Sequence, residues 1–246
     1  MSERFRRIEM MIGAEGLARL QAARVTVVGL GAVGSYATEA LARAGVGHLR
    51  LIDHDLVRES NINRQLYALT STLGRSKVEV AAERVRDINP DCKVEPLQLF
   101  VHVETLDEVL SGPPDLVIDA IDSYAPKLEL LSAALTRGVP LISSMGAALR
   151  TDPSRIKVGL LAETEVCPLA RRLRKGLRQR GLEPTMPCVY SDEPADAAKV
   201  FAPEELGEGE LDRGRQRRAL GSLPTLTGIF GLTVANEAIR QLVGEH

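Results

Sequence analysis

The stretch Ala23–Asp55, ARVTVVGLGAVGSYATEALARAGVGHLRLIDHD, decides the fold. Its apolar run Val25 to Val28 reads as a strand, the segment from about Ala32 to Ala44 as a helix, and the run Leu49 to Ile52 as a second strand. Between strand and helix, Gly29, Gly31 and Gly34 satisfy G-x-G-x-x-G, with Ala32 inside the turn. Glycines placed there let backbone N–H groups at a helix N-terminus receive a phosphate, so the unit reads as βαβ with a nucleotide on its turn.

The same alternation continues outward. It predicts a helix over KVEVAAERVRDINP, a strand near Val94, a strand over DLVIDAI, a helix running to Arg137 and a strand over PLISSM. These imply an α/β fold: a Rossmann-like, mostly parallel, doubly wound sheet with a C-terminal extension. Past Gly146 the rhythm changes. RIKVGLLAE reads as a further strand, CPLARRLRKGLRQRG as a short basic helix, and residues 191–222 as an irregular, charge-rich excursion. LTGIFGLTVANEAIRQLV then reads as a C-terminal helix on the core. We expect one domain over 1–246, with 163–222 a charge-rich insertion.

Composition excludes several classes. With 246 residues, 44% of them hydrophobic, the chain can bury one sizeable core. A net charge of -2 leaves any attraction to nucleic acid to local clusters. Cys92, Cys167 and Cys188 are too few and too scattered for a disulfide framework, and no C-x-x-C pair is present to hold zinc. Cys167 and Cys188 read as buried rather than reactive thiols. No apolar run reaches membrane-spanning length and the first residues lack a signal-peptide pattern, so a soluble, cytoplasmic protein without a membrane partner is expected.

Asp53 ends the second strand about 20 residues past the glycine motif, where a carboxylate accepts hydrogen bonds from ribose hydroxyls; this suits NAD and ATP equally. The next loop favours ATP. A triphosphate needs its charge met, and the sequence has no G-x-x-x-x-G-K-[ST] loop. NINRQ instead offers Asn61, Arg64 and Gln65, and Lys77 follows near the start of the next helix; Arg64 and Lys77 are suited to clamp the outer phosphates. VIDAIDSYAPK sets Asp119 and Asp122 at the end of another parallel strand. Asp119 reads as a buried residue bonding loop amides, and Asp122 as the carboxylate for Mg²⁺.

Together RFRR near the start, VVGLGAVGS, LIDHD, NINRQ, Lys77 and DAIDS resemble the ThiF/MoeB-like, ubiquitin-activating-type adenylation enzymes. The resemblance implies ATP and Mg²⁺ as cofactors, with Asp53 on the ribose, Asn61, Arg64, Gln65 and Lys77 on the phosphates, and Asp122 on the metal. It also implies a homodimer in which Arg7, matching R-[FY]-x-R, reaches the partner's site. RVRDINP, CPLARRLRKGL, PCVYS and TGIFG look most like the branch that dehydrates threonylcarbamoyladenosine in tRNA. That branch cyclises the threonine carboxylate of the modified adenosine through an acyl adenylate, so a tRNA carrying it would be the partner. For some members the resemblance further implies a sulfur-relay protein acting on a cysteine, but residues 217–228 contain none.

A polyanionic substrate gives the charged insertion a role. Arg171, Arg172, Arg174, Lys175, Arg178 and Arg180 crowd into about three helical turns. We expect them to contact the tRNA backbone, joined by Arg213, Arg215, Arg217 and Arg218. Three other readings stay open at this point: adenylation of a ubiquitin-like sulfur carrier, an NAD-dependent oxidoreductase, and a tRNA-binding protein without catalysis. The first usually carries paired C-x-x-C zinc ligands, which are absent, and the second leaves NINRQ and Lys77 unexplained.

Overall fold

The structure, a computed structural model, describes residues 3–195, 200–201 and 219–244. Strand β1 (Arg24–Val28) leads through the glycine turn into α2 (Gly34–Ala44) and β2 (His48–Asp53). There follow α3 (Lys77–Ile88), β3 (Lys93–Gln98), the short α4 (Leu106–Val109), β4 (Leu116–Asp119), α5 (Tyr124–Thr136) and β5 (Leu141–Ser144). Then come β6 (Ile156–Leu160), α6 (Pro168–Gln179), β7 (Pro187–Ser191), the pair β8 (Val200–Phe201) and β9 (Ala219–Leu220), and α7 (Pro224–Val243).

Seven strands form one sheet in the order β3-β2-β1-β4-β5-β7-β6, parallel except for the antiparallel edge pair β6–β7. Helices cover both faces, so β2, β4 and β5 are buried at every position, the polar His48, Arg50, Asp53, Asp119, Ser143 and Ser144 included. One core gathers α2, α3 and α7 around Leu41, Val85 and Phe230; the other gathers α4, α5 and α6 around Val109, Leu131 and Leu173.

Register sets the site. Val28 lies level with Ile52 on one side and with Asp119 on the other, and Asp119 lies level with Ser143. Four parallel strands therefore end together. The chain leaves β1 toward β2 and β3 and returns to β4 on the opposite side, so the loops after β1 and β4 diverge from a switch point, where open α/β sheets bind ligands.

Among the elements that went unread in the sequence, α1 and β7 are the largest. Residues Arg6–Ala22 form α1, kinked at Gly13, where φ is 74°; Met10 and Met11 lie exposed on it and it packs against α7. Strand β7 stands between β5 and β6, and both α6 and β7, which fall within the expected insertion 163–222, are built into the core. Arg213, Arg215, Arg217 and Arg218 lie outside the described residues.

Candidate active site

The glycine turn is shaped by close backbone approach. Gly29 has φ 90° and donates its N–H to Ile52 O at 2.8 Å; a Cβ there would lie 2.9 Å from the Ala120 carbonyl oxygen. A Cβ on Gly34 would lie 1.8 Å from the Gly29 carbonyl oxygen, so the start of α2 can dock only without a side chain. Gly31 differs: a Cβ would find only the Gln65 Nε2, 3.7 Å away. The turn thus has room at Gly31 beside Gln65, with Ala32 half-buried next to them, at the N-terminus of a helix, the kind of place where backbone N–H groups can receive an anion.

Asp53 ties this turn to the next loop. It is buried, and its Oδ2 accepts the Leu30 N–H at 2.7 Å while Oδ1 accepts the Asp55 N–H at 2.9 Å. Each carboxylate oxygen still has a lone pair left for a hydroxyl donor. The same carboxylate that would bind ribose therefore also sets the entry to the glycine turn.

Lys77 is no solvated lysine. Only 4% exposed, it ion-pairs through Nζ with Asp55 Oδ2 at 2.9 Å, and its backbone N–H bonds the Asp55 carbonyl at 3.1 Å. His54 Nε2 lies 3.2 Å from Asp55 Oδ1. Burial by itself would raise the Asp55 pKa, but the charge and hydrogen bond of Lys77, with His54 and Arg58 nearby, hold it below its ordinary value. Asp53, His54 and Asp55 bring ligand atoms within 4.8 Å of one another, yet the cation already among them is the Lys77 ammonium.

The NINRQ loop is held by its own members. Buried Asn61 accepts the Arg58 N–H at 3.2 Å, and its carbonyl accepts the Gln65 N–H at 2.9 Å. Arg64 Nη1 donates to Ser60 O and Asn63 Oδ1, both at 2.8 Å, so its guanidinium is bound within the loop. Asp122 is exposed on the loop after β4, and its Oδ1 accepts the Ser123 hydroxyl at 3.4 Å. Asp119 is fully buried and accepts the Ile121 N–H at 3.1 Å, the amide-bonding role expected of it.

Gly29, Gly31, Ala32, Gly34, Asp53 and Gln65 thus meet at one edge, with Asn61 and Asp122 on the flanking loops and Lys77 at the start of α3. Arg7 does not join them. It is exposed at the start of α1 and has no hydrogen-bond or ion-pair partner among the described residues. His54, Asp55 and Lys127 were not singled out in the sequence; the Asp-x-Asp of LIDHD was the one available signal for Asp55.

Helix α6 divides its cations. Arg174 Nη1 donates to the Thr164 carbonyl at 2.7 Å and to the Thr164 hydroxyl, and Arg180 pairs with Glu129. The Arg172 guanidinium lies 4.2 Å from the Tyr124 ring centroid. Those three are tied down by partners within the chain. Arg171, Lys175 and Arg178 remain exposed beside Gln179 on one open depression. All three cysteines are buried and free, and burial pushes the Cys92 and Cys188 thiols up, to about 11 and about 12, so neither is poised as a nucleophile.

A model of the ThiF family matches residues 5–246. The chain is 38% identical to the tRNA threonylcarbamoyladenosine dehydratase of Bacillus subtilis over 99% of its own length and 96% of that protein. It is 35% identical to the Escherichia coli protein of the same name, over 99% and 94%. The solved structure of the E. coli tRNA N6-threonylcarbamoyladenosine dehydratase, TcdA, in complex with ATP is similar at a TM-score of 0.86 and 34% identity, over 99% of this chain and 95% of that one. No helix among the described residues is long and apolar enough to cross a membrane.

The Asp55–Lys77 pair predicts an acid-sensitive site. A carboxyl held low in the fold contributes stability that is fully present above its unfolded value of about 4 and lost as pH falls through the folded one. In urea unfolding, Asp55→Asn should be less stable than the parent at pH 7, with the gap closing as pH is lowered past the carboxylate range. A gap independent of pH would show that the pair does not carry the effect.

Proposed function

We propose that this chain, which belongs to the ThiF family, catalyses the ATP-dependent dehydration of threonylcarbamoyladenosine in tRNA. The observation that supports this most is the near full-length likeness, in sequence and in fold, to dehydratases of that name, one of them solved with ATP. The threonine carboxylate attacks the α-phosphorus of ATP, pyrophosphate leaves, and the neighbouring carbamoyl group closes the ring as AMP departs. No enzyme nucleophile is needed, because both reacting groups belong to one molecule and proximity supplies much of the rate. The buried, high-pKa thiols of Cys92 and Cys188 agree with this.

In this reading the Asp53 carboxylate accepts the ribose hydroxyls, and the open turn at Gly31 receives phosphate. Gln65 borders the turn. Lys77 exchanges its hold on Asp55 for a phosphate oxygen, and Arg64 turns out of its loop to meet the outer phosphates, so both stabilise charge on the departing pyrophosphate. Asp122, an exposed carboxylate on the adjoining loop, fits Mg²⁺, which favours one or two carboxylates together with waters and phosphate oxygens. The metal supplies charge neutralisation on the phosphates. Arg7, exposed on α1 near Met10 and Met11, is the residue we assign to a partner's site in a homodimer. The whole of 1–246 acts as one domain, with the basic face of α6 toward the tRNA.

Two measurements check this. Purified protein, ATP, Mg²⁺ and tRNA bearing the modified adenosine should give a nucleoside lighter by one water together with AMP and pyrophosphate; ADP and phosphate would refute adenylation. For the tRNA face, Arg171→Ala, Lys175→Ala and Arg178→Ala combined should flatten the log–log salt dependence of tRNA binding by roughly 0.7 to 0.9 for each phosphate that the variant no longer neutralises, with ATP affinity unchanged. Arg174 is left intact because it holds Thr164. An unaltered slope would remove α6 from the interface.

A further inference from the structure

One of the largest fully buried side chains of the described residues is a charged one. Lys127, in the first turn of α5, has no exposed surface, and its Nζ lies 2.6 Å from Asp119 Oδ2, itself wholly buried. Ser143 on β5 donates its hydroxyl to the same Oδ2 at 2.6 Å. Stability alone does not account for this arrangement, because desolvating two charges costs about as much as their attraction returns, and an apolar pair of the same shape often serves equally well.

The rest of the geometry shows what the pair holds. Lys127 Nζ also donates to the Ile121 carbonyl at 2.9 Å, while Asp119 Oδ1 accepts the Ile121 N–H at 3.1 Å. Both backbone groups of Ile121 are therefore fixed by the two members of one ion pair. On its other side the loop is held by the Ala120 N–H to Val28 O bond at 2.8 Å, and the Ala120 carbonyl lies where a Gly29 side chain would have to go. The next residue is Asp122.

We propose that Lys127, with Asp119 and Ser143, is a positioning residue that fixes the Asp122 carboxylate relative to the glycine turn. The inference rests on the adenylation reading given above and adds to it the group that sets the distance between the two phosphate-side loops. An apolar replacement would fill the space but would leave the Ile121 peptide without a clamp and the Asp122 loop free to shift. Small misplacements of this kind are costly to rate.

The test is the double substitution Lys127→Met with Asp119→Asn in the full chain, which removes both charges and keeps the shape. The variant should fold cooperatively and bind AMP as the parent does, because Asp53 and the glycine turn are untouched. Its kcat for tRNA-dependent pyrophosphate release should fall by about tenfold or more. In calorimetry with a non-hydrolysable ATP analogue, the gain in affinity on adding Mg²⁺ should shrink, a change that a purely structural role would not produce. Parental kcat and a parental Mg²⁺ increment in the folded double variant would overturn the proposal. Should that variant not fold, Ser143→Ala, which loses one donor, is read in the same way: smaller shifts in both quantities support the clamp and parental values overturn it. If the parent chain itself releases no pyrophosphate, the adenylation reading falls, while the Mg²⁺ increment still decides the positioning role.

Discussion

One carboxylate, that of Asp53, joins the parts of this site. Its two oxygens accept amides from opposite directions, Leu30 in the glycine turn and Asp55 in the loop after β2. A buried carboxylate without such donors would be expensive, and donors without it would leave two loop amides unpaired at the sheet edge. The bonds exist only because the register brings Val28 and Ile52 level, so the parallel pairing of β1 and β2 is what places the Asp53 carboxylate beside the glycine turn. Without that register, the Asp53 carboxylate would not reach the Leu30 amide of the turn.

Two further ion pairs extend the arrangement, and they differ in kind. Asp55–Lys77 is partly open, and its carboxylate is 37% exposed, so water and an incoming phosphate can compete for the ammonium. Asp119–Lys127 is sealed, with both side chains wholly buried. The open pair holds a cation ready beside the site, and the closed pair keeps its loop from moving. A site that must bind a polyanion and align it needs both behaviours.

Much of this was legible in the sequence because local chemistry dictated it. Strands buried on both faces are rich in apolar residues, and the close approach of α2 to the Gly29 carbonyl excludes a side chain at Gly34, so Ala23–Asp55 announced its own fold. Asp53 and Asp119 were readable from their places at strand ends. Helix α1 was not, because its buried residues, Gly16, Leu17 and Leu20, cluster in its last turns and the kink at Gly13 breaks any longer period. The partners of Lys77 and Lys127 were hidden for a different reason: both are contacts across loops whose course depends on tertiary packing. The cations of α6 looked alike in sequence and differ in the fold, since Thr164, Tyr124 and Glu129 reach only those that face them.

The account stands on one chemical event, attack of the substrate carboxylate on the α-phosphorus of ATP. The most direct measurement is isotope transfer: tRNA whose threonylcarbamoyl carboxylate carries ¹⁸O is converted to product, and the AMP formed is analysed by mass spectrometry. Adenylation requires one carboxylate oxygen to leave with AMP, so the label should appear in the AMP phosphate, one atom per ring closed. AMP free of the label, with the ¹⁸O recovered in inorganic phosphate or in water, would contradict the account.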